Sequence, residues 1–508
     1  MRGKAGLWRL RVGLSMAACM AACLTSFGAM PCYGLPLHAG KPTMQALMVS
    51  DIHFEPFWDP DKTAQLAAAP ASDWKAILAT PDSADREQKF AALEKTCNAR
   101  GVDSSYTLLA SSLQAMHTDA ADIRFITLSG DLIAHSFSCK YTTLFPKSSP
   151  ADYRTFVEKT IEFVMSSLRE TFPHVPVYAA LGNNDSDCGD YQLDADSQFL
   201  DDVGKILTAD IPEPERTNLP ELERKKAAHD FADGGYYSAS LPMHHARILV
   251  LDDLFMARKY ATCANKPDPA AAAAQIAWLE KELSHARKDK GKIWVMAHIP
   301  PGVDPYSTIT KAKNICDGKS PQMFLASESM ANAIADYGDV IPLAIFAHTH
   351  MDEMRLLEPD KKDDAPKADA PRADLHGPVA VKMVPSISPI DGNNPSFTVA
   401  EVDAETGVLI DYRVIAASNQ TGVGTTWAEE YDYAKAYQEP SFAAGSVENL
   451  FAEFKADPSA QTEVSQNYLK DYFVGDAARE LKLFWPQYVC ALDNRTESSY
   501  RACYCAGK

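Results

Sequence analysis

The chain predicts an α/β protein whose functional side chains gather at the carboxyl edge of a sheet. Two observations carry that reading: five short apolar runs that each end on an oxygen or imidazole side chain, and helical apolar spacing in the segments between them. Residues 123–135 state the pattern best, because an Ile- and Phe-rich run stops at Ser129-Gly130 and Asp131 stands just past its end. Such a run reads as a buried strand, and open α/β sheets bind ligands outside the carboxyl ends of their strands. Four further stretches have the same shape. The run 46–50 leads to Asp51 and His53, and the run 175–181 leads to Gly182-Asn183-Asn184-Asp185. The run 293–297 ends in His298, and 343–347 ends in His348-Thr349-His350. One Gly-Asp would mean little; the repetition carries the weight.

The first residues read as a processing signal. Arg2, Lys4, Arg9 and Arg11 precede an apolar, small-residue stretch at 12–24 that is short for a bilayer span. Residues 1–34 are therefore expected to be a cleaved export signal, giving a periplasmic or secreted protein. Phe27-Gly28-Ala29 and Cys32-Tyr33-Gly34 both offer small residues for cleavage, while Met20-Ala21-Ala22-Cys23 faintly resembles a lipoprotein box that would leave a lipid anchor on Cys23. No later stretch reaches the apolar length of a transmembrane helix.

The elements follow in order. Residues 54–60, rich in aromatics and proline, read either as a lip beside the site or as packing. Residues 61–120 hold two or three helices, one of them at 106–116, and a helix near 153–169 completes a βαβ rhythm. Residues 190–232 read as acidic and helical, and 236–241 and 247–252 as successive strands. The segment 270–288 is a strong helix former. Pro300-Pro301-Gly302 stops the His298 strand, and 320–337 reads as another helix. Residues 358–374, low in complexity and highly charged, are expected to form a flexible insertion. Strands resume at 379–384 and 397–402, and Thr406-Gly407 turns into 408–415. From about Thr426 the pattern becomes helical and aromatic. The expected organisation is an α/β domain at 44–415 followed by a helical C-terminal subdomain at 426–508.

With 508 residues the chain has room for a large domain and a smaller one. Its formal charge is −19, and the export segment carries four basic and no acidic residues, so cleavage makes the chain still more acidic. That charge disfavours nucleic acid and anionic membranes as partners, and a phosphate substrate would need a metal or a local basic patch to draw it in. Eleven cysteines are present, and the eight beyond residue 34 are expected to form disulfides, as an even count in an exported chain does. The expected pairs are Cys97–Cys139, Cys263–Cys316, and Cys490 with Cys503 or Cys505. Oligomeric state is not legible.

The candidate metal ligands are Asp51, His53, Asp131, Asn183, His298, His348 and His350. This mixed nitrogen and oxygen set suits zinc first, with manganese or iron as alternatives, rather than calcium. Seven side chains exceed the needs of one ion and suffice for two sharing a bridging carboxylate. Two such ions about 3.5–4 Å apart can hold a hydroxide for in-line attack on phosphorus.

Asp-x-His, Gly-Asp, Gly-Asn-x-Asp, a strand-end His and His-x-His, in this order, resemble the calcineurin-like metallophosphoesterase superfamily. Gly130-Asp-Leu-Ile-Ala-His135, His298-Ile-Pro-Pro-Gly302 and Pro385-Ser-Ile-Ser-Pro389 with Asn394-Pro-Ser-Phe397 resemble its acid sphingomyelinase-like branch, and the resemblance covers about residues 44–415. It implies a four-layer αββα sandwich of two mixed sheets flanked by helices. It also implies one metal held by Asp51, His53, Asp131 and His350 and another by Asp131, Asn183, His298 and His348, with Asp131 bridging. The family usually has a leaving-group histidine where this chain has Asn184, and an amide can donate a hydrogen bond but cannot release a proton. His135 matches a second histidine given that role in the branch, so it becomes the candidate general acid. Gly-Asn-Asn-Asp also resembles the endopolyphosphatases of the branch. The expected function is therefore an exported dimetal phosphodiesterase acting on a small phosphate ester, a lipid headgroup or polyphosphate. Hydrolysis of phosphoanhydrides and a non-catalytic metal-binding role are the alternatives. For His135 the bland reading is a solvated loop residue, for Asn184 a structural cap, and for the aromatic tail a packing face.

Overall fold

β1 (Thr43–Val49), β2 (Ile123–Leu128) and β3 (Val177–Ala179) run parallel, and their carboxyl-terminal halves are buried and mostly apolar, as strands of parallel sheets are. The computed structural model describes residues 42–212, 222–312, 314–359, 377–474 and 479–506, so the export segment and nearly all of the charged 358–374 stretch lie outside the described residues.

Among the described residues twelve strands make two six-stranded mixed sheets. In the first, β10 (Ser396–Asp403), β11 (Leu409–Ala417) and β12 (Trp427–Asp432) extend β1 antiparallel, giving the order β12-β11-β10-β1-β2-β3. The second contains β4 (Tyr237–Ser240), β5 (Ala246–Val250), β6 (Lys292–Met296), β7 (Leu343–Phe346), β8 (Met354–Leu357) and β9 (Val379–Met383), in the order β4-β5-β6-β7-β9-β8. The sheets face each other. Phe125 of β2 meets Trp294 of β6 edge-on at 5.5 Å, and Tyr237 of β4 exchanges hydrogen bonds with the backbone of Ala179 on β3.

Helices surround the sheets, as an α/β sandwich requires. The helix Pro150–Thr171 starts at a capping box on Ser149 with proline in its first turn, and buries Phe156, Val157, Ile161 and Val164 on one stripe. The helix Pro269–Asp289 starts at an Asp268 cap and ends on Lys290 in the left-handed region. The C-terminal helices Ala444–Ala456, Glu463–Asp471 and Trp485–Asp493 interlock through Phe454, Tyr468 and Trp485.

Three local expectations are corrected. Trp427–Asp432 is an edge strand rather than the start of the helical tail, because pairing with β11 and burial of Tyr431 override the local pattern. The helix expected at 320–337 is confined to Ser329–Ala335. Its first half is held extended by long-range bonds: Phe324 N–H donates to Gly302 O, and Arg258 N–H donates to Phe324 O. Cys263 pairs with Cys188, not Cys316, because the chain after Asn184 runs alongside 257–263, with Ala261 N–H donating to Tyr191 O. Cys97–Cys139 forms as expected, Cys490 takes Cys503, and Cys316 takes Cys505.

Candidate metal centre and cleft

The strands β1, β2 and β7 each end in a sharp turn at the rim. Asp51 (φ 46°), His53 (φ 43°), Asp131 (φ 55°), His348 (φ 71°) and His350 (φ 65°) all occupy the left-handed region that L residues rarely adopt. Such strain persists where the surrounding structure over-determines it, typically at functional sites. Two glycines allow the close approach: Gly130 (φ 96°) lies against Gly182 N and His298 Nδ1, and a Cβ on Gly182 would fall on the Asp131 carboxylate.

All seven residues named as ligands meet at this rim. Asp131 Oδ2 lies 3.3 Å from His53 Nε2 and 3.2 Å from His298 Nε2. Asp51 Oδ1 lies 3.5 Å from His350 Nε2 and 3.8 Å from His53 Nε2. His298 Nε2 is 3.2 Å from Asn183 Oδ1, and His53 Nε2 is 3.2 Å from His350 Nε2. Two overlapping groups result, Asp51–His53–Asp131 and Asp131–His298–His348, within each of which the ligand-type atoms lie within 4.8 Å of one another. Asp131 belongs to both.

The second contacts fix which atom faces inward. His53 Nδ1 is 2.8 Å from Ile133 O and His298 Nδ1 is 2.8 Å from Ser129 O, which makes both Nδ1 atoms donors and turns both Nε2 atoms toward Asp131. Asn183 Nδ2 donates to Asp190 Oδ1 at 2.7 Å, turning its carbonyl oxygen toward His298. Tyr191 OH lies 3.1 Å from His348 Nε2, leaving Nδ1 of that ring for the site.

These residues fit divalent cations. Both oxygens of Asp51 are fully buried with no hydrogen-bond donor among the described residues, a costly state for a carboxylate unless a cation meets it. Burial alone would lift the pKa of Asp131, yet His298 and His53 hold it well below the usual carboxylate range. Burial works against protonation of His53 and His298, but Asp131 beside them pulls both up to about 10. Divalent ions held there would take the place of the protons that those two rings carry beside Asp131. Burial keeps His348 and His350 neutral, pushed down to about 3 and about 4.

The remaining predicted residues flank this centre. The His135 ring stacks on His53 at 4.0 Å and is partly exposed to a cleft of about 630 Å³. Asn184 braces Asp131 twice, its backbone N–H donating to Oδ1 at 2.8 Å and its Nδ2 to Oδ2 at 2.9 Å. Asp185 accepts from Leu132, Ile133 and Gly182 N–H and ties the two motif loops together. Phe57 packs on Phe137 and Phe156, and Trp58 on Phe90 beneath Arg86, so the 54–60 loop is packing rather than a lip.

Sequence reasoning missed Asp103, Asp190 and Tyr191. Asp103 sits in a loop without any motif, and only the fold brings it to His135. Asp190 and Tyr191 follow the Gly-Asn-Asn-Asp motif closely, and that nearness was the available signal. The aromatic tail packs as expected for most of its length, but Tyr472, Phe473 and Tyr488 also line the cleft.

Fold and rim together define a phosphoric-ester hydrolase that uses divalent metal ions. The calcineurin-like phosphoesterase family model matches residues 44–352, and the chain belongs to that family. Over 505 residues the chain is 24% identical to the Bos taurus cyclic GMP-AMP phosphodiesterase SMPDL3A, covering 96% of this chain and 97% of that one. It is 25% identical to the Mus musculus acid sphingomyelinase-like phosphodiesterase 3b, over 79% and 80% of the two chains. It is 26% identical to the Dictyostelium discoideum sphingomyelinase phosphodiesterase C, over 61% of each.

Proposed function

We propose that the protein is an exported dimetal phosphodiesterase. Asp51, His53, Asp131 and His350 would hold one ion and Asp131, Asn183, His298 and His348 the other, with Asp131 shared. Zinc is the first choice for this nitrogen-rich set, with manganese or iron as alternatives. Bound there, two divalent ions would lower the pKa of the attacking water and neutralise phosphoryl charge. The observation that carries the reading is the Asp51 carboxylate, buried beside the His53 and His350 imidazoles with neither oxygen hydrogen-bonded among the described residues.

The chain's own residues supply the rest. His135, on the cleft side of His53, is the proton donor to the leaving oxygen, and Asp103 holds its Nδ1 so that Nε2 is the working atom. Asn184 keeps Asp131 in place rather than handling a proton. Four disulfides among the described residues and the basic-then-apolar N-terminal segment support export to the periplasm or medium, with a lipid-anchored form through Cys23 as the variant.

A second reading, cleavage of phosphoanhydrides or polyphosphate, is favoured by one observation: Arg100, Lys259 and Lys311 line the cleft of a chain whose net charge is −19. Anhydride leaving groups also need less protonation, which would tolerate Asn184 in place of a histidine. Initial rates on bis(p-nitrophenyl) phosphate, sphingomyelin, ATP and polyphosphate separate the two readings. Asp131→Asn tests both at once: metal content and turnover should be lost together, and undiminished turnover in that variant would contradict the proposal.

A further inference from the structure

One stretch of the cleft's edge is held by the far end of the chain. The short helix Pro305–Lys311 follows the Pro300-Pro301-Gly302 turn, and Asp304 caps it by accepting from Ser307 N–H at 2.8 Å. Asp304, Tyr306 and Lys311 line the cleft. Tyr306 is 59% exposed, and of the five large apolar side chains that stand exposed among the described residues it alone lines the cleft. A ring left in water there adds little to the folding of the chain and offers its face to whatever enters.

The C-terminal tail fastens this stretch. Val303 before the helix and Ile315 after it form a small cluster, separate from the main core, with Cys490, Ala491 and Tyr500 of the tail. Tyr500 is fully buried on the last helix, Glu497–Cys505. Ser320 Oγ donates to Glu497 Oε1 at 2.6 Å, and Arg501 Nη2 donates to Lys319 O at 3.1 Å. The Cys316–Cys505 disulfide joins the two segments covalently across 189 residues of sequence. A bridge that served stability alone could close a loop anywhere; this one ends just beyond the cleft-lining Lys311.

We infer that the last helix is a strap that positions Tyr306, and that Tyr306 is a specificity-determining residue whose ring packs against the ester group retained on the phosphorus. The inference rests on the phosphodiesterase reading and adds a determinant of which ester is accepted. The side of the cleft supports the retained group. Phe324, whose N–H donates to Gly302 O at the start of this stretch, meets His348 edge-on at 5.7 Å, whereas the proton donor His135 stacks on His53. The strap supplies preorganisation: a segment that must be ordered when substrate arrives lowers affinity, and one already fastened does not. It acts on binding rather than on the metal rim, since Val303, Ile315, Cys316, Lys319 and Ser320 include no candidate metal ligand.

The test compares two esters with the same leaving group, phenyl p-nitrophenyl phosphate and methyl p-nitrophenyl phosphate. Their kcat/KM ratio is measured for the metal-loaded wild type, for Tyr306→Ala, and for Cys316→Ser combined with Cys505→Ser. The ratio of phenyl to methyl ester should fall about fivefold in both variants, the scale of one aromatic contact. The fall should come from KM of the phenyl ester, with kcat and metal content unchanged. A ratio unchanged in either variant overturns the inference, and so does an equal loss on the two esters, which a merely structural role would give. Where the double variant fails to fold, Arg501→Ala takes its place: a lower ratio supports the strap and an unchanged one overturns it. If the wild type cleaves neither ester, the phosphodiesterase reading has failed. Hydrogen exchange of residues 304–312 then judges the strap alone: faster exchange in the double variant supports it, and equal exchange overturns it.

Discussion

Asp103 and His135 are joined twice: the His135 backbone N–H donates to Oδ2 at 2.7 Å, and its ring Nδ1 lies 3.1 Å from Oδ1. Ser388 Oγ donates to the same Oδ1 at 2.8 Å. Burial would raise the pKa of Asp103, but His135 against it holds the carboxyl far below its usual range, so Asp103 stays ionised and fixes the ring. Asp103→Asn should therefore lower kcat by roughly 10–100-fold with little change in KM, as removal of an orienting partner does. The loss should be larger on an alkyl ester than on a p-nitrophenyl ester, whose leaving group needs little protonation. Initial rates on both esters check this, and an equal loss on the two argues against His135 as the proton donor.

Asn184 makes a different prediction. Because its side chain bonds Asp131, Asn184→Ala should weaken metal retention by about tenfold and slow good and poor leaving groups by the same factor. Competition against a chromogenic chelator, paired with rates on two leaving groups, measures both effects. A loss confined to the poor leaving group would return Asn184 to a direct role in proton or phosphoryl chemistry.

The segment carrying Asp190 and Tyr191 holds two candidate ligands of the same ion, Asn183 and His348, and Cys188–Cys263 ties it to the neighbouring loop. Replacing both cysteines by serine, or Asp190 by Asn, should lower metal affinity by roughly 10–100-fold while leaving the far-ultraviolet spectrum unchanged. Unaltered affinity in the double serine variant would mean that the loop keeps its shape without the bridge.

How much of this was legible in the sequence depended on distance along the chain. β1, β2, β3, β6 and β7 could be read because each is a continuous apolar run with its functional residue at the end, and the order of those residues named the family. The Trp427–Asp432 strand and the extended 320–328 segment could not, since both are set by pairing with remote backbone. The Cys188–Cys263 bridge failed for the same reason: spacing says nothing about which loops lie side by side. Asp103 carries no motif, and its meaning comes from the partner the fold gives it.

Stability should depend on pH through Asp471. Its carboxylate accepts from Tyr437 OH at 3.0 Å, and burial, with Asp352 nearby, lifts its pKa to about 7. The folded state therefore binds a proton that the unfolded chain, with a pKa near 3.9, has already released. Its contribution is complete at low pH and is lost as pH rises from about 4 through 7. Asp471→Asn keeps an acceptor for Tyr437 and has nothing to ionise, so the fall in Tm between pH 5 and pH 8 should be smaller by a few degrees in the variant. Parallel curves for the two proteins would rule out this group as a source of pH dependence.

The most direct test is elemental analysis of the purified mature protein together with hydrolysis of bis(p-nitrophenyl) phosphate, before and after exhaustive chelation. Two divalent ions per chain are expected, with loss of turnover on their removal and recovery when zinc or manganese is restored. Full turnover by metal-free protein would contradict the dimetal proposal.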